Sequence, residues 1–149
     1  MIDTGQVVRK AFFDALNNQV DNPENSAAKV PIVDEKLDLN ITEHDLYMLI
    51  GGQQATTVNT KHCWADEVDL SITIVNRRKA TNSKTTIENI ATQMLQILFP
   101  TRTTEGITIP LPFLLSYVKR MNDQYTFEKA NDGWEISKQI IFKTRITQT

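Results

Sequence analysis

An α+β fold is expected for this chain: an antiparallel sheet built from two long β-hairpins plus a short edge strand, with two helices packed on one face. Two stretches whose apolar residues recur at helical spacing predict the helices. Two pairs of long alternating stretches, the second joined through Asn131-Asp132-Gly133, predict the hairpins. No internal repeat points to a solenoid.

In chain order, Val8, Phe12, Ala15 and Leu16 place an amphipathic helix over residues 4–20, with Arg9, Lys10, Asp14 and Asn17 elsewhere on the wheel. Asp3 or Thr4 can cap it, and Asn22-Pro23 can end it, because proline cannot continue the amide ladder. Residues 21–29 are polar and read as a loop leading into a short strand over 30–37, which Pro31 confines to a sheet edge. After a polar connection over 38–45, alternation of Leu46, Met48 and Ile50, then of Val68, Leu70, Ile72 and Ile74, predicts strands over 46–60 and 63–76. Gly51-Gly52 inside the first strand marks a bulge or a close backbone approach.

The second helix is expected over 85–98, with Ile87, Ile90, Ala91, Met94, Ile97 and Leu98 on one face. Thr85-Thr86-Ile87-Glu88 fits a capping box, and Pro100 supplies a stop. A loop with Gly106, Pro110 and Pro112 leads to strands over 113–128 and 134–147. In the last strand Trp134, Ile136, Ile140, Phe142 and Ile146 share one face, while Glu135, Ser137, Gln139, Lys143 and Arg145 share the other. These strands exceed the usual length of about five or six residues, so the hairpins should project past the core that two helices can cover. Projecting hairpins offer docking edges to neighbouring subunits.

Composition narrows the function classes. The 149 residues suit one domain, 1–149, and a hydrophobic fraction of 40% with 23% charged residues argues against disorder. A formal net charge of −2 removes the usual electrostatic mark of a nucleic-acid binder. The single cysteine, Cys63, cannot form an intramolecular disulfide. No stretch approaches the length of a membrane span, and the opening residues lack a secretory pattern, so no membrane partner and folding in the cytoplasm are expected.

No catalytic, metal or cofactor constellation emerges. Asp34-Glu35-Lys36 matches the acid-x-Lys element of metal-dependent nucleases, but that chemistry needs a second acid on an adjacent strand, and Asp21 and Glu24 fall in the expected loop. His62 and Cys63 are neighbours on an expected strand and would point to opposite faces, so with His44 they make no zinc site. Neither a G-x-S-x-G elbow nor a phosphate-binding glycine loop occurs. Arg77-Arg78-Lys79, with Lys84, forms the one basic cluster, in the loop before the second helix. Trp64 and Trp134 read as sheet-face residues rather than base-stacking platforms.

The order of elements resembles the small tail-completion, tail terminator and head-tail joining (neck) proteins of tailed bacteriophages, across nearly the whole chain. The resemblance rests on residues 8–16 as the opening helix, Val30-Pro31-Ile32-Val33 as the short strand that follows, 46–51 and 68–75 as the central hairpin, and 86–98 as the second helix. It implies a non-enzymatic virion subunit, without cofactors, that assembles with copies of itself into a ring, a hexamer or dodecamer, at the head-tail junction or tail end. Its partners would be neighbouring neck, connector or tail-tube proteins, with DNA passing through the lumen without sequence-specific binding. A mildly acidic chain suits a lumen that does not hold DNA. The expected inter-subunit or partner contacts are Gly51, Gly52, Thr57, Asn59 and Lys61 at the first hairpin tip, and Arg77, Arg78, Lys79 and Lys84 in the basic loop.

Two other readings remain open at this stage. A small non-viral adaptor domain could bind a peptide or protein through a sheet edge. A metal-dependent nuclease would use Asp34 and Lys36 and lose its activity in Asp34→Ala.

Overall fold

The computed structural model describes residues 3–34, 46–58, 64–77, 83–101, 106–130 and 133–148. Helix α1 spans Thr4–Leu16, and the side chain of its N-cap, Asp3, accepts a hydrogen bond from the Gly5 amide. It stops four residues short of the periodicity-based expectation, because Asn17 turns extended (ψ 122°) and Asn18 takes the left-handed region (φ 58°). Asparagine tolerates that conformation at low cost. Residues 21–29 form a hairpin rather than a loop, with β1 (Asp21–Asn22) antiparallel to β2 (Asn25–Lys29). Asn22-Pro23 therefore sits at a strand turn, where the Asn22 side chain accepts from the Glu24 amide, and does not end the helix.

Five strands make the main sheet: β3 (Ile32–Asp34), β4 (Leu46–Thr57), β5 (Trp64–Asn76), β6 (Phe113–Ala130) and β7 (Gly133–Gln148), in spatial order β3-β4-β5-β7-β6. The hairpins β4-β5 and β6-β7 are antiparallel, as expected, and β5 pairs with β7 to join them. The edge strand β3 departs from the expected antiparallel sheet: it runs parallel to β4, with Ile32 opposite Met48. The sheet is thus mixed, while the α+β class stands. The pairing of β6 with β7 continues to Ala130 opposite Gly133, so the hairpin runs about 10 Å past the last β5 pair, Asn76 with Ile136.

Helix α2 spans Ser83–Leu98, two residues earlier than expected. This places Thr85 and Glu88 inside the helix, so they do not form the expected capping box. Thr86 instead donates to Glu24 at 3.2 Å, and Glu88 accepts from Lys138 at 3.0 Å.

Both helices pack on one sheet face. Val8, Phe12 and Leu16 from α1 and Ile87, Ile90, Ala91, Met94 and Leu98 from α2 meet the inward row of the strands: Met48, Ile50, Leu70, Ile72, Ile74, Ile140 and Phe142. Phe142 touches Phe12 and Phe99, with ring centroids 5.4 and 6.3 Å apart. Ile140, Phe142 and Ile146 are buried as the alternation of β7 requires. Among the described residues, the opposite face holds a small buried apolar cluster of Val33, Tyr47 and Val75, with Leu49 packed against it.

Candidate assembly interface

The two sides of the sheet end differently. Beyond β6 no further described strand pairs along its 18 residues. On the other side β3 covers Met48 to Ile50 of β4, so Gln53, Gln54, Ala55, Thr56 and Thr57 have no described strand on their outer side. Such edges expose backbone donors and acceptors that can pair with another chain. A bulge at Gly51-Gly52 separates the covered from the uncovered part of β4, where Ile50 faces Ile72 and Gln53 faces Leu70.

The bulge is held from inside the fold. Arg9 turns its guanidinium onto the sheet, donating to the carbonyls of Gly51 at 2.5 Å and Ile50 at 2.8 Å. Buried charge-assisted bonds of this kind fix backbone position more firmly than neutral ones. Arg9, which the helical wheel sets apart from the apolar stripe, is therefore buried. A Cβ at Gly51 would lie 2.4 Å from Ser71 Oγ, so a larger residue here obliges the serine hydroxyl to turn away. One turn earlier, the Thr4 hydroxyl donates to the buried Asp66 carboxylate at 2.7 Å and ties the helix start to β5.

Residues directly opposite in a ladder share a face, so the registers define rows across the sheet. One row on the face without helices runs Thr56, Glu67, Arg145, Tyr117, and the next runs Gln54, Asp69, Lys143, Lys119. Charge therefore changes from strand to strand: neutral on β4, acidic on β5, basic on β7 and at Lys119 of β6. Lys143 lies 3.8 Å from Glu67 and 3.9 Å from Asp69. The Tyr117 hydroxyl donates to Glu67 at 2.7 Å, and that bond, with partial burial, raises its pKa above the ordinary 10.0. Lys119 is exposed and lies 4.5 Å over the Tyr117 ring.

The expected contact residues fall in unlike settings. Gly52 and Thr57 are exposed on the uncovered part of β4, whereas Gly51 is packed against Ser71. Arg77 is occupied within the fold: it pairs with Glu135 at 3.0 Å and stands 5.5 Å over the Tyr47 ring, whose pKa burial raises despite the nearby cation. Lys84 lies 4.9 Å over Tyr125, so it borders β6. Asn59, Lys61, Arg78 and Lys79 lie outside the described residues, as do His44, His62, Cys63 and Lys36.

Sequence reading missed a set of exposed apolar residues beside or on β6: Leu111, Leu114, Met121 and Phe127. The signal was present in Leu111-Pro112-Phe113-Leu114-Leu115, where both faces of a strand are apolar. It also missed Lys138, which sits buried on the inward row of β7 and pairs with Glu88 at 3.0 Å and Asp123 at 3.7 Å. Two shallow clefts, of about 500 and 430 Å³, lie between α2 and Arg120 and between α1 and residues 106–110. Among the described residues no three His, Cys, Asp or Glu side chains gather as a metal site would require, and no helix is long and apolar enough to cross a membrane.

No family model matches the chain, and no curated protein matches it in sequence. In structure it is similar to a chain from the virion of a native gene transfer agent particle, with a TM-score of 0.53 and 11% identity over 95% of this chain and 90% of that one. A likeness of that extent shows that the two chains share a fold.

Proposed function

We propose that this chain is a non-enzymatic structural subunit of a bacteriophage-like virion, which oligomerises into a ring at the head-tail junction or tail end. The observation that carries the reading is the shared fold over 95% of the chain with a protein of a gene transfer agent virion. The two sheet edges, which no further described strand covers, support it, because a ring needs two different surfaces on each copy that meet in a closed cycle. Neighbouring neck, connector or tail-tube proteins would dock on the ring, and DNA would pass through its lumen without sequence-specific contact. Gly52 and Thr57 on β4 are candidate docking points for those proteins, together with Asn59, Lys61, Arg78 and Lys79, which lie outside the described residues.

Electron microscopy of the purified full chain tests this reading. A closed ring with a pore wide enough for duplex DNA, about 20 Å or more, is the expected result. A protein that stays monomeric up to high concentration and binds an extended peptide along β6 would establish the adaptor reading in its place.

A further inference from the structure

How the copies join is written in the rows of the sheet. The strand directions make β6 antiparallel to β4, because β4, β5, β7 and β6 alternate in direction across the sheet. A second copy set beside the first without being turned over therefore presents its β4 to β6 in ordinary antiparallel geometry. The levels match as well. Tyr117, Val118, Lys119 and Arg120 sit in the same rows as Thr56, Ala55, Gln54 and Gln53, the part of β4 with no described strand on its outer side.

We infer that copies of this chain join head to tail, edge to edge, with residues 117–120 of β6 in one copy paired against residues 53–56 of β4 in the next. This rests on the ring reading and names the surface and the partner, a second copy of the same chain. The bulges in β6 fall at Ser116 and Met121, on either side of this run, and leave it regular. Bulges at a sheet edge restrict where another strand can pair, and here they bound the run that lies level with residues 53–56 of β4. The bulge at Met121 also bends β6 at the level where β3 covers β4 in the neighbouring copy.

Charge selects this arrangement over a two-fold one. Head-to-tail pairing sets Lys119 next to the neutral Gln54 and Thr56 of the neighbour, two strand spacings, about 10 Å, from its Glu67 and Asp69. Pairing β6 with β6 about Lys119 would set Lys119 opposite the same residue of the other copy, with Lys143 and Arg145 on the next strand in on each side, basic facing basic. At about 10 Å the attraction is modest and screened by salt, so it orients the copies while the backbone ladder and the neighbouring side chains hold them.

Engineered cysteines read the geometry. In a Cys63→Ser background, Gln54→Cys together with Lys119→Cys should give, under mild oxidation, a ladder of covalent oligomers that ends at the ring size. Each single cysteine variant should give none, and neither should Gln139→Cys in the middle of the sheet. Self-cross-linking of Lys119→Cys alone would overturn the head-to-tail pairing in favour of a two-fold one. An assembly seen by sedimentation that yields no ladder would overturn the edge pairing and leave the ring standing, whereas a monomer at every concentration would overturn both. Lys119→Glu should weaken self-association roughly tenfold at low salt, and Asp69→Lys in the same chain should restore it. No change in either variant would remove charge as the selecting force.

Discussion

The two hairpins of this fold are built alike and used differently. The β4-β5 hairpin lies under α1, which fixes it at two points, through Arg9 on the bulge carbonyls and Thr4 on Asp66. The β6-β7 hairpin is longer, projects past β5, and has no described strand beyond β6, where Leu114, Met121 and Phe127 are exposed. Burial on the first hairpin belongs to folding, whereas the exposed apolar groups of the second gain little within a single chain. Exposed apolar side chains on an uncovered edge mark a surface for another chain rather than for the core.

Substitutions separate the two regions by size of effect. Phe142→Ala, which empties the site where Phe12 and Phe99 meet, should cost about 3–5 kcal/mol in urea unfolding. Arg9→Met should cost about 2–3 kcal/mol, because it leaves the Ile50 and Gly51 carbonyls without their charged donor. Gly51→Ala should cost about 1–2 kcal/mol, and Ser71→Ala in the same chain should recover most of it by removing the hydroxyl that a new methyl meets. Phe127→Ser, at 56% exposure, should change monomer stability by less than about 0.5 kcal/mol. Equal losses for Phe127→Ser and Arg9→Met would erase the contrast between the hairpins.

The smallest expected effect is in alkali. Tyr47 and Tyr117 both have folded pKa values raised above 10.0, the first by burial and the second by its bond to Glu67. Each neutral phenol thus contributes stability in full below about pH 10, and this is lost as pH rises through the higher folded value. Ultraviolet titration of the folded protein should show two tyrosines ionising later than in the unfolded chain. Glu67→Gln should bring one of the late steps earlier, and no change in the curve would dismiss the Glu67 bond as its cause.

Much of the fold was legible because period-two and helical patterns are strong in long elements. The hairpins, the second helix, the bulge at Gly51-Gly52 and the buried row of β7 follow from them. What was hidden had short-range or long-range causes that a pattern does not carry. Val20 continues the helical spacing and is buried, yet it packs from a turn that Asn17 and Asn18 make. The β1-β2 hairpin has no alternation to announce it, since Asn25 to Lys29 is polar and small. The direction of β3 depends on its pairing with β4, which its few residues do not encode.

The candidate interface was legible only in outline. That strand edges would serve as docking surfaces followed from strand length, but which edge segments lie level with each other requires the registers. Arg9 and Arg77 show why charge in a sequence is a poor guide to a contact surface: the first is buried on backbone carbonyls and the second stacks between Tyr47 and Glu135. Lys138 carries the opposite lesson, since its place on the inward row of β7 was readable from alternation alone, while its partners Glu88 and Asp123 were not.

Hydrogen exchange of the full chain, followed residue by residue from dilute to concentrated solution, tests edge-to-edge joining most directly. Backbone amides within residues 53–56 and 117–120 should slow as concentration rises, while those of β5 and β7, paired on both sides in every copy, stay slow throughout. Fast exchange in both edge segments within a sample that has assembled would contradict the joining of copies through the sheet edges.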